Sequence, residues 1–373
     1  MATTNGSSPS DGRVYNFSAG PCCLPVEVLL EAQQQTLNCA GSGMSVMEMS
    51  HRSKEFIKIF DTTMADLKEI LQIPQNYKLL MMQGGATLQF SCVPLNLLES
   101  QGAVCDYAVT GSWGQKAFEE GAKYGSAVKV CDTKPTKYTT IPPVDQWKLS
   151  PDAKYLHYCS NETIYGVEFK STPVVQAPLV ADMSSNFCSR PIDVDKHVLI
   201  YAGAQKNLGP AGATVVIVRE DCIGKQLPIT PTYLGYDIHA KNDSMYNTPP
   251  CQAVYMIGLM AKWMKQKGGL SAWQEYAESK AKILYDLING SDGYYVCPVD
   301  EQYRSNMNVP FRVCCNEDME KKFLEEAKKR KLTTLAGHRT VGGVRASIYN
   351  GMPTEGVQAL ADFMKEFQQT NPK

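Results

Sequence analysis

One lysine stands between two apolar runs in the segment LIYAGAQKNLGPAGATVVIV, residues 199–218. The flanking runs are typical of buried strands, so Lys206 occupies a short polar, glycine-rich connection. A lysine in that position must be solvated, paired with an acid or used chemically. If burial removes its hydration, the pKa of its amine falls and the neutral form becomes available as a nucleophile and a base.

Three other features could act together with this amine. Asp182 ends the apolar run in VADMSS, either as a turn residue or as a carboxylate facing a cleft at the sheet edge. The turn QGGATLQ, residues 83–89, lies between a strand and a helix, where exposed amides attract phosphate, although such a turn is often a simple connection. Trp113 in TGSWGQ could stack on an aromatic ring or fill the core.

An amine, an anion-binding turn and a carboxylate at one sheet edge are the parts that hold pyridoxal phosphate. The lysine forms a Schiff base with its aldehyde, the turn binds its phosphate, and the acid keeps its pyridine nitrogen protonated. The pattern alone leaves another possibility open, a non-catalytic protein that binds a nucleotide or phosphate at the GGAT turn. A cysteine desulfurase is a third reading, but no cysteine lies in a persuasive mobile loop.

The elements that must position these residues alternate between strand and helix from about residue 55 to 220. Strands are predicted at YKLLMM, VCDYAV, KYLHYC, PLVADMS, HVLIYA and ATVVIV, each apolar enough to be covered on both faces. A helix is predicted where Phe56, Phe60, Met64, Leu67 and Leu71 form one apolar stripe, and another from about Leu88. After about residue 265 the pattern changes to a smaller α+β module.

Composition limits the possible classes of protein. A chain of 373 residues exceeds the usual size of a single core, so two domains are expected. The net charge of −1 gives no indication of nucleic acid or an anionic membrane as a partner. Thirteen cysteines without zinc-ligand spacing indicate reduced thiols, no metal site and a cytoplasmic location. No apolar stretch is long enough to span a membrane, and the first dozen residues lack a signal-peptide pattern.

Seven segments of the chain resemble the class V, fold-type I aminotransferases, which use pyridoxal phosphate: NFSAGPCCLP, SVMEMSHRSKEF, HYCSNETIYGVEF, SSNFCSRPIDV, YAGAQKNLGPAG, SMYNTPP and GHRTVGGVRASIYN. The resemblance implies an α/β fold, with a mostly parallel seven-stranded sheet between helices and a smaller α+β C-terminal domain. The implied divisions are a flexible tail at 1–12, an N-terminal segment at 13–25 that packs on the small domain and the active site, a large cofactor-binding domain at 26–267 and the small domain at 268–373.

The same resemblance implies a role for each site residue. Lys206 would carry the cofactor and act as acid and base, Asp182 would pair with the pyridine nitrogen, and Trp113 would stack on the ring. Thr163 would donate to the phenolic oxygen. The phosphate would be held by Ala86, Thr87 and Gln205 of one subunit and, in a homodimer with shared active sites, by Asn247 and Thr248 of the other.

The implied substrates are L-glutamate and 3-phosphooxypyruvate, giving 2-oxoglutarate and O-phospho-L-serine in serine biosynthesis. Arg345 would bind the substrate carboxylate. His51, Arg52, His338 and Arg339 would bind the phosphate or second anion. Guanidinium groups suit both anions because they donate two parallel hydrogen bonds.

Overall fold

The computed structural model describes residues 12–373, so the tail predicted at 1–12 lies outside the described residues except for Gly12. Within this range the strands are β1 (Tyr15–Asn16), β2 (Tyr77–Met82), β3 (Val104–Val109), β4 (Ser126–Asp132), β5 (Leu156–Cys159), β6 (Asn161–Glu162), β7 (Val167–Glu168), β8 (Leu179–Asp182), β9 (Leu199–Gly203), β10 (Thr214–Arg219), β11 (Tyr295–Val296), β12 (Asn308–Val313), β13 (Leu332–Thr333) and β14 (Val344–Ser347). The α-helices are α1 (Val26–Gln34), α2 (Lys54–Ile70), α3 (Gly85–Leu97), α4 (Ser112–Gly121), α5 (Tyr236–Lys241), α6 (Cys251–Gln266), α7 (Gly269–Asn289), α8 (Glu317–Lys329) and α9 (Thr354–Thr370). None of the described helices is both long and apolar enough to cross a membrane.

The described residues form a seven-stranded sheet in the order β2-β10-β9-β8-β5-β3-β4. Strand β10 runs antiparallel to both of its neighbours, whereas the pairs from β9 to β4 are parallel. The predicted α/β class and the mostly parallel sheet are confirmed. The parallel strands share one carboxyl edge, where open α/β sheets bind their ligands.

Apolar side chains on the two faces of this sheet belong to two separate clusters of buried residues. One face packs against α2 and α6, where Phe56, Phe60 and Ile257 are buried. The other face packs against α3 and α4, where Phe90 and Ala117 are buried. Each fully buried large side chain contributes about 1.5–3 kcal/mol, so the central strands are held firmly from both sides.

A further apolar cluster forms around the three-stranded sheet β11-β12-β14 and helices α7, α8 and α9. Tyr15 and Phe17 of the N-terminal segment are buried in this cluster, and β1 pairs in parallel with β13. The predicted domain division falls between α6 and α7, where Gly268 has φ +103°. The division itself stays a prediction.

Candidate active site

A cavity of about 300 Å³ lies at the carboxyl edge of the sheet. Nine of the residues predicted to form the site line it: Ala86, Thr87, Trp113, Thr163, Asp182, Gln205, Lys206, His338 and Arg345. A larger cavity of about 480 Å³ lies between the N-terminal segment and α7, and its walls contain none of the predicted site residues. The smaller cavity is therefore the candidate active site.

Lys206 lies in the loop after β9, and its Nζ donates a hydrogen bond of 2.8 Å to Thr163 Oγ1. Burial lowers the pKa of the Lys206 amine, while the nearby Asp182 carboxylate acts in the opposite direction. The N-terminal segment holds the lysine backbone, because Cys22 Sγ donates to the Lys206 carbonyl. A Cβ placed on Gly20 would lie 3.3 Å from Lys206 Cγ, so this segment also packs closely against the lysine stem.

Asp182 is the last residue of β8 and is almost completely buried. Ser184 donates a backbone hydrogen bond of 2.9 Å to Asp182 Oδ1, which fixes the carboxylate at the sheet edge. Burial raises the pKa of Asp182, while Ser184 and Lys206 oppose this rise. Such a carboxylate is suited to a cationic ring nitrogen, whose charge favours the ionised acid.

The first turn of α3 is suited to a phosphate. Gly84 precedes the helix with φ +94°, and a Cβ there would lie 2.5 Å from Leu88 Cδ2. No side chain caps this helix start, and Gly85, Ala86 and Thr87, whose amides have no intrahelical partner, line the cavity. Free amides at the positive end of a helix dipole favour a bound anion.

Trp113 is in the first turn of α4, and Lys206 Nζ lies 6.0 Å from the centre of its ring. The backbone N–H of Trp113 donates to Glu162 Oε2 at 3.1 Å, and that of Gly114 donates to Glu162 Oε1 at 2.8 Å. Glu162 is fully buried, and burial raises its pKa to about 7. Sequence reasoning missed Glu162, since nothing in the letters NET indicates a contact with a helix far away in the chain.

The opposite side of the cavity is cationic. Arg345, in β14, donates from Nη1 to the Thr163 carbonyl at 3.4 Å, and burial lowers its pKa. His338 pairs with Thr340 Oγ1 at 2.8 Å, and burial together with the charges of Arg345 and Arg339 lowers its pKa. A guanidinium group and an imidazole N–H donor at one cavity wall can bind an acid with two negatively charged ends.

Five other predicted residues do not line the cavity of this chain: His51, Arg52, Asn247, Thr248 and Arg339. His51 and Arg52 lie in the turn before α2, whose Ser53 caps that helix. The Thr248 carbonyl accepts a hydrogen bond of 3.2 Å from Gln83 Nε2, which places it near the turn before α3. Arg339 is exposed beside His338. Their roles stay predictions.

The residues present fit pyridoxal phosphate. Within residues 12–373, two buried nitrogens of the cavity residues, Trp113 Nε1 and Arg345 Nε, have no hydrogen-bond partner. They are donors that a bound cofactor or acidic substrate can satisfy. A lysine of lowered pKa, a buried acid and an anion-binding helix start provide the three attachments that the cofactor requires.

Residues 14–360 match the family model "Aminotransferase class-V", and the fold and site therefore belong to a pyridoxal-phosphate-dependent transaminase. Phosphoserine aminotransferase of Laribacter hongkongensis is 55% identical to this chain, over 95% of the chain and 98% of the relative. That of Drosophila melanogaster is 53% identical, over 96% and 99%. The pyridoxal-phosphate-bound crystal structure of the Trichomonas vaginalis phosphoserine aminotransferase superposes with a TM-score of 0.91 at 43% identity, over 95% of this chain and all (100%) of that one. The chain belongs to the phosphoserine aminotransferase family.

Proposed function

We propose that this chain transfers the amino group of L-glutamate to 3-phosphooxypyruvate and releases 2-oxoglutarate and O-phospho-L-serine. The observation that carries the proposal is the placement of Lys206 Nζ, 2.8 Å from Thr163 Oγ1, in a cavity that also contains Asp182 and Arg345. The names of the relatives that match almost the whole chain support the same substrate pair.

When bound, pyridoxal phosphate supplies an aldehyde that captures amino groups and a ring that accepts electrons. Lys206 would anchor the cofactor, and its neutral amine would accept the proton that leaves the substrate Cα. That step requires a neutral amine near working pH, and the lowered pKa of Lys206 favours the neutral form. Asp182 holds the ring nitrogen in its protonated form, and Thr163 orients the phenolic oxygen.

The remaining cavity residues hold the cofactor in place. The amides of Ala86 and Thr87 at the start of α3, with the Gln205 side chain, bind the cofactor phosphate. Trp113 covers one face of the ring and excludes water from it. This division of roles uses the helix dipole for the charged end of the cofactor and an aromatic face for its ring.

Substrate recognition rests on the cationic side of the cavity. Arg345 binds the carboxylate next to the reacting carbon, because its guanidinium group lies against Thr163 and therefore close to Lys206. His338, with Arg339, His51 and Arg52, binds the distal phosphate or the second carboxylate. Glutamate and the phosphorylated oxo acid can share one site, since each has two anionic ends.

We propose a homodimer in which each active site takes residues from both subunits. Asn247 and Thr248, and also His51 and Arg52, are predicted site residues that do not line this chain's own cavity. Large apolar side chains are exposed in the same parts of the chain: Leu37, Met47 and Tyr246. A contact between subunits at these segments would cover them and bring the polar residues to the partner's cavity.

The dimer proposal is tested by mixing two variants, each impaired at a different residue of the site. Lys206→Ala removes the amine from the active site of the subunit that carries the substitution. Arg52→Ala removes a group from the active site of the other subunit. In a mixed dimer one of the sites has both residues, so we expect activity to return when the two variants exchange subunits. Lack of recovery in dimers shown to be mixed would contradict shared sites.

The experiment that tests the reaction is borohydride reduction of the yellow holoenzyme, followed by peptide mapping. We expect the label on Lys206. Lys280 is the informative comparison, because it is also buried and has a pKa lowered to about 7, but it lies outside the cavity. A label on Lys280 would reject the assignment. Addition of glutamate should change the visible spectrum, and supply of 3-phosphooxypyruvate should then yield O-phosphoserine.

The two thiols at the candidate site argue against a cysteine desulfurase. That chemistry needs a mobile, exposed thiolate. Cys159 lines the cavity, but it is buried, and burial raises the pKa of its thiol well above the usual value. Burial also raises the pKa of the Cys22 thiol, which donates to the Lys206 carbonyl.

We also propose a cytoplasmic location. All thirteen cysteines lie within the described residues, and there each is a free thiol. Free thiols in this number suit a reducing compartment. Imaging of the full chain fused to a fluorescent protein tests this, and a signal confined to an organelle would overturn it.

A further inference from the structure

A second buried carboxylate lies next to the contact between Lys206 and Thr163. Glu162 ends β6 and directly precedes Thr163, and its side chain is 0% exposed. The proposed reaction assigns it no role. A carboxylate without contact to water is costly to keep, so its partners indicate what it does.

Both carboxylate oxygens accept hydrogen bonds from the start of α4. Oε2 accepts from Trp113 N at 3.1 Å, and Oε1 accepts from Gly114 N at 2.8 Å. Such amides have no partner inside their own helix, and the helix dipole favours a negative charge beside them. Glu162 therefore caps α4 from a distant part of the chain.

The local sequence is adapted to this contact. A Cβ on Gly111 would lie 2.2 Å from Glu162 Cδ, so a side chain at position 111 would displace the carboxylate. A Cβ on Gly114 would lie 3.4 Å from Oε1 and 3.2 Å from the Ala108 carbonyl. Glycine at both positions lets the helix approach the acid closely.

The same short segment contacts Lys206. Thr163 Oγ1 accepts from Lys206 Nζ, while Asn161 Nδ2 donates to Ser185 Oγ at 2.9 Å and anchors the segment to the loop after β8. The side chains of residues 162 and 163 thus hold the start of the helix that carries Trp113 and also the lysine. A shift of α4 relative to this backbone would change the position of the Trp113 ring relative to Lys206.

We propose that Glu162 is a positioning residue, which fixes the ring of Trp113 over the cofactor by holding the first turn of α4. This inference rests on the proposed function, because it requires the cofactor to lie between Lys206 and Trp113. It goes beyond the cofactor contacts, since Glu162 acts through Trp113 and does not line the cavity.

The test uses Glu162→Gln, which keeps the size of the side chain but replaces one acceptor oxygen by an N–H donor that faces a backbone N–H. At a pH above about 7, where Glu162 is ionised, we expect kcat to fall about tenfold, as for the loss of one charge-assisted hydrogen bond, with little change in KM. We also expect the visible circular dichroism band of the bound cofactor to change, because that band reports how the protein surrounds the ring.

The matched control is Glu168→Gln. Glu168 is also almost fully buried, in the strand that pairs with β6, but its carboxylate bonds to Asn186, Lys170 and the backbone of Asn306. We expect E168Q to keep the cofactor band and kcat. If Glu162 is merely structural, E162Q should behave like E168Q, with lower thermal stability but an unchanged cofactor band in the folded enzyme.

A double-mutant cycle then tests the route of the effect. If Glu162 acts through Trp113, E162Q should change kcat less than about twofold in a Trp113→Ala background. A full tenfold loss in that background would overturn the proposal. So would an E162Q enzyme with the parent's cofactor band and kcat.

If E162Q does not fold, Gly111→Ala decides, because the added methyl group would lie 2.2 Å from Glu162 Cδ and would displace the carboxylate while the acid remains. A change of the cofactor band in the folded variant supports the proposal, and an unchanged band rejects it. A parent enzyme with no cofactor band at all would reject the proposed function, so the two failures can be told apart.

Discussion

Lys280 offers a stability test that needs no assay of the reaction. It lies in α7 and is 0% exposed, and its Nζ donates to the carbonyls of Ile348, Tyr349 and Met352 at 3.0, 2.8 and 2.9 Å. Burial lowers the pKa of Lys280 to about 7. Lys280→Met keeps a side chain of similar length but removes the donors, leaving the carbonyls of the 348–352 turn without this partner.

The sign of the pH dependence follows from proton linkage. Lys280 has a pKa of about 7 when folded against an ordinary value of 10.5, so between these values the unfolded chain binds more protons than the folded protein. Stability therefore rises with pH in this window, and protonation of Lys280 opposes folding below it. Integrated from pH 7 to pH 9, this one group adds about 2 kcal/mol to the free energy of unfolding.

K280M lacks this contribution and loses the hydrogen bonds, of which the neutral amine that prevails at pH 9 donates two at a time. An unsatisfied buried carbonyl costs about 1–3 kcal/mol, so we expect K280M to be less stable than the parent at pH 9. The difference in free energy of unfolding between the parent and K280M should be about 2 kcal/mol smaller at pH 7 than at pH 9. Protonation of Lys280 destabilises the parent at pH 7, whereas K280M has no such group.

Equilibrium urea unfolding of both holoenzymes at pH 7, 8 and 9 measures this difference. Lys282→Met is the control, since Lys282 lies on the same helix, is 73% exposed and pairs with Asp286. Its difference from the parent should not vary with pH. If the difference between the parent and K280M also does not vary with pH, the three carbonyls stabilise the protonated form of Lys280. That result would refute the lowered pKa.

Three further changes test the active site. Asp182→Asn should reduce kcat by about a hundredfold or more while glutamate still binds, because an amide cannot stabilise the cationic ring nitrogen. Stopped-flow spectra separate glutamate binding from the chemical step. An unchanged rate would contradict the role of Asp182 at the ring nitrogen. Arg345→Lys should raise KM for glutamate about tenfold or more by loss of the paired hydrogen bonds, with kcat changed less; steady-state kinetics decide, and an unaltered KM would remove Arg345 from substrate binding. Gly84→Ala should weaken cofactor binding about tenfold, because φ +94° and a 2.5 Å approach of the new Cβ to Leu88 force the turn to move. Titration of the apoenzyme with the cofactor measures this affinity. An unchanged affinity would show that this turn does not bind the phosphate.

Most of the fold follows from the pattern of apolar runs. The six strands predicted in the first part of the chain are present, because buried parallel strands read as short continuous apolar segments. The pattern missed β4, an edge strand in which only Val130 is buried and the other residues are partly exposed or exposed. It also began α3 near Leu88, whereas the helix begins at Gly85, because positive φ at Gly84 allows the chain to turn directly into the helix.

The site was predictable to the extent that topology determines it. Asp182 and the loop of Lys206 follow adjacent parallel strands, so their proximity follows from the strand order. The contact of Glu162 with α4 could not be predicted in this way. It depends on the path of a two-residue strand, and a glutamate in such a segment looks like any solvated acid.

The environment of Lys206 is assembled from both ends of the chain. Lys280 holds the 348–352 turn, in which Tyr349 donates its hydroxyl to the Ala19 carbonyl at 2.9 Å and Asn350 N donates to Asn207 Oδ1 at 2.9 Å. Asn207 is the neighbour of Lys206, and Ala19 lines its cavity.

The sheet edge therefore places the lysine, but the C-terminal turn and the N-terminal segment together close its surroundings. Closure removes water from the amine, and this desolvation is the main cause of its lowered pKa. It follows that K280M, although its substitution lies in α7 outside the cavity, should raise the pKa of the Lys206 amine toward its ordinary value and shift the acidic limb of the kcat profile to higher pH. A profile identical to that of the parent would show that the sheet edge alone sets the chemistry of Lys206.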